Sequence, residues 1–199
     1  MVTVAIQAGG RSRRMGRDKG LVPLAGKPLI QHLLDRVAGL GDEILVTTNR
    51  PDDYAFLGVR LASDPVPGAG ALAGLHTALE AARGQTVIVL ACDMPFVSRP
   101  LLEHLLKLAR QGEAQVVVPR RGREYEPLHA VYARACLAAI EAAQAAGEGR
   151  MISFFSRVRV AAVEEDELVR YDPEGLSFFN VNTPEDLAQA ERILAEGRA

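Results

Sequence analysis

The sequence predicts an α/β protein: a three-layer, Rossmann-like fold with a mostly parallel central sheet, in one domain covering residues 1–199. Three observations carry this expectation. Short apolar, β-branched runs alternate with stretches of helical periodicity, the pattern of parallel strands covered by helices on both faces. No internal repeat, low-complexity tract or proline-rich linker divides the chain. Its 199 residues, 48% hydrophobic and 24% charged, suffice for one substantial core.

In chain order, Val2 to Ile6 is the opening strand, and a glycine-punctuated loop follows from Gln7. Leu29, Ile30, Leu33, Leu34 and Val37 form a 3.6-residue stripe, so Pro28 to Leu40 reads as a helix that begins at a proline and ends near Gly39 and Gly41. Glu43 to Thr48 and Val59 to Ala62 read as strands, and the turn Gly68-Ala69-Gly70 opens a helix running to about Arg83. Thr86 to Ala91 is the most apolar β-branched run, as expected of a central parallel strand buried on both faces. Ser98 and Pro100 supply an N-cap and a first-turn proline for a helix through about Arg110.

Ala114 to Pro119 and Leu128 to Ala133 read as two further strands joined by the polar turn Arg120 to Glu126, followed by an alanine-rich helix to Ala146. Val158 to Val163 alternates like a half-buried strand. Glu164 to Asn180 is the longest irregular stretch and is expected to be a mobile segment over the active face, with an ordinary surface loop as the alternative. Thr183 caps a final helix with an acidic first turn, where Asp186 replaces the glutamate of a full capping box.

With 23 basic and 25 acidic residues, no global field recruits nucleic acid or an anionic membrane. No apolar run is long enough to span a bilayer, and no leader precedes the first strand, so a cytoplasmic protein is expected. Cys92 and Cys136 lack metal-ligand spacing and suit a reducing compartment.

Positive charge is instead local. Arg11, Arg13, Arg14, Arg17 and Lys19 crowd the loop after the first strand, where glycines let backbone N–H groups approach an anion. Glycine pairs and arginine clusters are also ordinary turn and surface material. Lysine choice separates the readings: only Lys19, Lys27 and Lys107 are lysines, so this chain uses arginine for generic charge. A compact ammonium on a flexible stem suits a phosphate oxygen, and Lys19 is the candidate phosphate ligand. Asp93 stands past the central strand, at the edge where open α/β sheets bind ligands.

Five blocks in order then carry a resemblance. Ala8-Gly9-Gly10-x-Ser12-x-Arg14-Met15-Gly16-x-Asp18-Lys19 with Gly26-Lys27-Pro28-Leu29 resembles the opening signature of nucleotidyltransferases that use nucleoside triphosphates. Thr48-Asn49-Arg50, Leu72-Ala73-Gly74, Cys92-Asp93-Met94-Pro95-Phe96 and Phe179-Asn180-Val181-Asn182-Thr183-Pro184-Glu185-Asp186-Leu187 extend the likeness to the molybdenum cofactor guanylyltransferase family.

The resemblance implies a nucleotidyltransferase fold, GTP and the molybdenum-molybdopterin cofactor as substrates, and Mg²⁺ as cofactor. It implies that Gln7, Ala8, Gly9 and Gly10 wrap the nucleotide, that Lys19 binds phosphates, that Asn49 and Asp64 contact the nucleoside, and that Asp93 holds the metal. Asn180 and Asn182 would lie near the molybdopterin side, and transient contacts with molybdenum-insertion proteins or molybdoenzymes are implied. Gln7 departs from the family, where an apolar residue, usually leucine, is usual; it could bond the base or only end the strand. Ala71 stands where a proline often precedes Leu-Ala-Gly.

A cytidylyl or sugar-phosphate transferase would share Lys19 and Asp93, and Gly9-Gly10 favours guanylyl transfer because a second alanine goes more often with cytidine. A non-catalytic adaptor is the remaining alternative, opposed by intact Lys19 and Asp93. His129 is placed by the resemblance near the acceptor, with strand packing as an equal reading.

Overall fold

The computed structural model describes residues 1–8, 18–65 and 70–198. Gly9, Gly10, the arginines from Arg11 to Arg17, and the turn residues Gly68 and Ala69 lie outside the described residues. Strand β1 is Val2–Gln7, the small hairpin pair β2 and β3 is Pro23–Leu24 and Lys27–Pro28, and helix α1 is Leu29–Val37. Strand β4 (Glu43–Thr47), a short helix α2 (Pro51–Tyr54), β5 (Arg60–Ala62), α3 (Ala71–Ala81), β6 (Thr86–Ala91) and α4 (Arg99–Gln111) follow. The second half comprises β7 (Val116–Arg121), β8 (Glu124–Tyr125), β9 (His129–Ala133), α5 (Leu137–Ala145), β10 (Val160–Val163), α6 (Glu165–Leu168) and α7 (Pro184–Ala195).

The main sheet has the order β10-β7-β9-β6-β1-β4-β5, with β8 added to β7. Pairs β6/β1, β1/β4, β4/β5 and β10/β7 are parallel, whereas β9 runs antiparallel to both β6 and β7. Strand periodicity makes the layers. Val2, Val4 and Ile6 of β1 face Ile30, Leu33 and Val37 of α1, while Ala5 faces the opposite layer with Leu72, Leu75 and Leu79 of α3. On the same faces Leu101, Leu102 and Leu105 of α4 join the first layer, and Ile140 and Ala143 of α5 the second. A third cluster packs Ala190 and Ile193 of α7 on Val22, Leu24 and Leu29.

Three expectations are corrected. The polar turn after β7 is shorter than read: β7 runs to Arg121, and Gly122 at φ +57° turns the chain so that Glu124 pairs with Arg121. A left-handed residue in a tight turn is what makes that hairpin possible. The stretch expected to be mobile is folded, with α6 inside it, Ser177 fully buried, and Ser177 N donating to Asp172 Oδ2 at 2.9 Å. It packs on the start of α4, where Ser98 N donates to Ser177 Oγ at 2.8 Å and Ser98 Oγ to the Tyr171 carbonyl at 2.6 Å. The capping box of α7 is complete with aspartate: Thr183 Oγ1 accepts from Asp186 N at 3.1 Å and Asp186 Oδ2 from Thr183 N at 2.9 Å.

Candidate active site

Parallel pairing brings four strand ends to one edge. Along the order β6, β1, β4, β5 the residues at or just past those ends are Asp93, Gln7, Asn49 and Asp64. Three strand spacings, roughly 14 Å at about 4.8 Å each, separate the β6 end from the β5 end. That is the length of edge over which these four residues are spread.

Lys19 reaches this edge through a packed turn. Asp18 accepts from Gly20 N at 3.3 Å, capping a single 3-10 turn over Lys19–Leu21, and also accepts from the Tyr54 hydroxyl. Tyr54 is fully buried, and burial, with smaller contributions from Cys92 and Asp18, pushes its phenol well above the usual range and keeps it a donor. Gly20 is required for close approach: a Cβ there would lie 2.7 Å from the Tyr54 hydroxyl and 3.3 Å from Cys92. The turn is thus pressed against the residue preceding Asp93.

The result is a convergence of charge. Lys19 Nζ lies 3.0 Å from Asp93 Oδ2 and also donates to Asn182 Oδ1. Their side chains are 26% and 11% exposed, open enough to be reached by a ligand yet shielded enough for the pair to matter. Asp93 is anchored through its backbone, its carbonyl accepting from Val181 N at 2.9 Å. Asn182 is held in turn by α7, its N–H donating to Asp186 Oδ2 at 2.9 Å. Those backbone donors, the Asn182 N–H foremost, hold the Asp186 carboxyl below its ordinary value.

The two asparagines separate. Asn182 joins Lys19 and Asp93, whereas Asn180 Nδ2 donates to the Phe178 carbonyl of its own segment at 3.1 Å. On the opposite end of the edge Asn49 Oδ1 accepts from Asp64 N at 3.0 Å, and Asp64 Oδ1 is enclosed with no partner among the described residues. Gln7 has an enclosed Nε2 that is likewise unpaired. Ala8 is buried and its N–H donates to the Thr47 carbonyl at 2.8 Å, which fixes where the loop leaves the sheet. Gly9 and Gly10 are outside the described residues.

His129 is a packing residue. It is fully buried, its ring 5.0 Å from that of Phe178, and both ring nitrogens lack partners among the described residues. Desolvation pulls its pKa down to about 3, so it is neutral. Burial and the adjacent Asp93 charge push the Cys92 thiol up, which removes a thiolate nucleophile from the site. Sequence reasoning assigned no role to Asp18 or Tyr54; Asp18 was visible beside Lys19, but nothing in the sequence tied it to Tyr54. Among the described residues no group of three or more His, Cys, Asp or Glu side chains could hold a metal together. No helix among them is long and apolar enough to cross a membrane.

Comparison with known proteins gives this geometry a context. Residues 4–163 match the family model described as MobA-like NTP transferase domain. A probable molybdenum cofactor guanylyltransferase of Pelotomaculum thermopropionicum is 37% identical over 195 residues, covering 98% of this chain and 93% of the relative. The molybdenum cofactor guanylyltransferase of Pseudomonas putida is 40% identical over 188 residues, 93% of this chain and 95% of the relative. Among solved structures, molybdopterin-guanine dinucleotide biosynthesis protein A from Archaeoglobus fulgidus superposes with a TM-score of 0.85 at 32% identity, over 98% of this chain and 99% of that one.

Proposed function

This chain belongs to the MobA-like NTP transferase family, and on that premise we propose that it transfers GMP from GTP to the terminal phosphate of the molybdenum-molybdopterin cofactor. An oxygen of the acceptor phosphate forms a bond to the α-phosphorus of GTP. The bond from that phosphorus to the bridging oxygen of the β-phosphate breaks, and pyrophosphate leaves with the electron pair. The product is molybdopterin guanine dinucleotide.

The observation that supports this reading is the Lys19–Asp93 pair at 3.0 Å, seated at the β6 end of the edge with Asn49 and Asp64 at the other. Acceptor and donor are both anionic and repel, so the protein's task is to neutralise and align them. The Lys19 ammonium stabilises the negative charge that develops on the departing pyrophosphate. Asn182 fixes the ammonium so that it need not reorganise as charge develops. Asn49 and Asp64 hold the nucleoside end, and Asn180 lies toward the acceptor.

Asp93 offers a hard carboxylate oxygen beside the phosphates, which fits a divalent cation of the oxygen-preferring kind, Mg²⁺ in this proposal. Among the described residues no group of three or more His, Cys, Asp or Glu side chains gathers there, so substrate phosphates and water would complete the coordination of such an ion. Such an ion, when bound, withdraws charge from the α-phosphate. Burial keeps Cys92 a thiol, so it is not the nucleophile, and the transfer proposed here is direct, from GTP to the acceptor phosphate.

The test is product formation. Incubation with GTP, Mg²⁺ and loaded cofactor should give the guanine dinucleotide by mass, and GTP should raise the melting temperature more than CTP or ATP. At one hundred times Kd a ligand confined to the native state adds about 2.7 kcal/mol. A larger shift with CTP would replace guanylyl by cytidylyl transfer, and GTP binding without product would favour an adaptor.

A further inference from the structure

Gln7 closes β1 between two strands, opposite Thr47 on one side and Ala91 on the other. Its carbonyl accepts from Cys92 N at 3.1 Å, so the backbone at this position is fixed. Alternation along β1 then sends its side chain to the face of Ala5, toward α3. There it meets Gly74. A Cβ on Gly74 would lie 3.3 Å from Gln7 Oε1 and 3.6 Å from both Cδ and Nε2, so the bare glycine is the platform on which the carboxamide rests.

Held this way, the amide has an enclosed donor: Nε2 has no partner among the described residues. Leaving a buried donor unpaired costs free energy that an apolar residue here would avoid. An enclosed polar donor in the middle of this edge, on the strand beside that of Asn49, points to a ligand acceptor.

We infer that the Gln7 carboxamide reads the guanine base, donating from Nε2 to the O6 carbonyl; the inference rests on the GTP reading above. Guanine presents a carbonyl acceptor there with an N–H donor beside it, and a carboxamide carries one donor and one acceptor side by side. Adenine and cytosine place an amino donor where guanine has O6, which opposes donor to donor. Gln7 is therefore a specificity residue and takes no part in the transfer step.

Calorimetric binding of three triphosphates with Mg²⁺ and no acceptor tests this: GTP, inosine triphosphate, which keeps O6, and the 2-aminopurine riboside triphosphate, which lacks it. Wild-type protein should bind inosine triphosphate like GTP and the 2-aminopurine analogue about tenfold more weakly, as one unmade buried hydrogen bond predicts. Gln7→Leu should weaken GTP and inosine triphosphate by about tenfold, leave the analogue unchanged, and preserve binding of inorganic tripolyphosphate. Gln7→Leu that binds GTP as wild type does would overturn the inference, as would a wild type that does not distinguish the analogue. If Gln7→Leu does not fold, Gln7→Met is judged by the same criteria. A wild type that binds tripolyphosphate but no GTP would remove the guanylyl reading itself, and this inference with it.

Discussion

The ammonium of Lys19 sits 3.0 Å from a carboxylate oxygen of Asp93, although 74 positions separate them in the chain. Each partly shields the other's charge from water, and each is held by separate elements: Lys19 by the turn pressed on Tyr54 and Cys92, Asp93 by the end of β6 and the backbone of Val181. On the proposed reading, a triphosphate arriving at this edge would meet a cation already aimed beside the carboxylate that would carry the metal.

Lys19→Ala should lower turnover on the order of 10²–10³-fold, the range seen when one preorganised charge-stabilising donor is removed. Lys19→Arg should not restore it, because a planar guanidinium cannot take the place of a point charge held by both Asp93 and Asn182. Steady-state pyrophosphate release measures both, and wild-type rates in Lys19→Ala would refute the role.

His129 predicts an acid-labile component of stability. Its folded pKa is depressed to about 3 by burial, below the ordinary value near 6.5 of the unfolded chain. The stabilisation is therefore complete above the unfolded value and is lost as pH falls from there toward the folded one. Between pH 7 and pH 5 the wild type should lose about 2 kcal/mol more than His129→Leu. Urea denaturation at the two pH values reads the difference, and parallel losses would show that His129 is not buried as described.

Thr183 and Asp186 cap α7 reciprocally, and Asp186 also holds the N–H of Asn182. Thr183→Ala should cost about 1 kcal/mol of stability, the usual loss for an N-cap hydroxyl. The urea midpoint reports it; an unchanged midpoint would mean that packing of Ala190 and Ile193 alone fixes the helix.

The fold was legible because its signals are local and repeated. The stripe of Leu29 to Val37, the β-branched run Thr86 to Ala91 and the Ser98-x-Pro100 start each dictate an element without help from the rest. Lys19 and Asp93 were legible as chemistry, since one follows a glycine-rich loop and the other ends a central strand. The contact of Lys19 with Asn182 was not, because it depends on how α7 docks through Val22, Leu24 and Leu29. The segment expected to be mobile failed for the same reason: Ser177 and Asp172 are buried by partners on α4 and within the segment that no local pattern announces. The Asp186 capping box shows the reverse, a shorter carboxylate doing what the usual glutamate does.

Single-turnover pyrophosphate release, with GTP, Mg²⁺ and loaded molybdenum cofactor, compares wild type with Asp93→Ala most directly. The wild type should release pyrophosphate as the guanine dinucleotide forms, and Asp93→Ala, folded by its melting curve, should release none. Release by Asp93→Ala at the wild-type rate would contradict the central claim that Asp93 and Lys19 act together on one nucleotide.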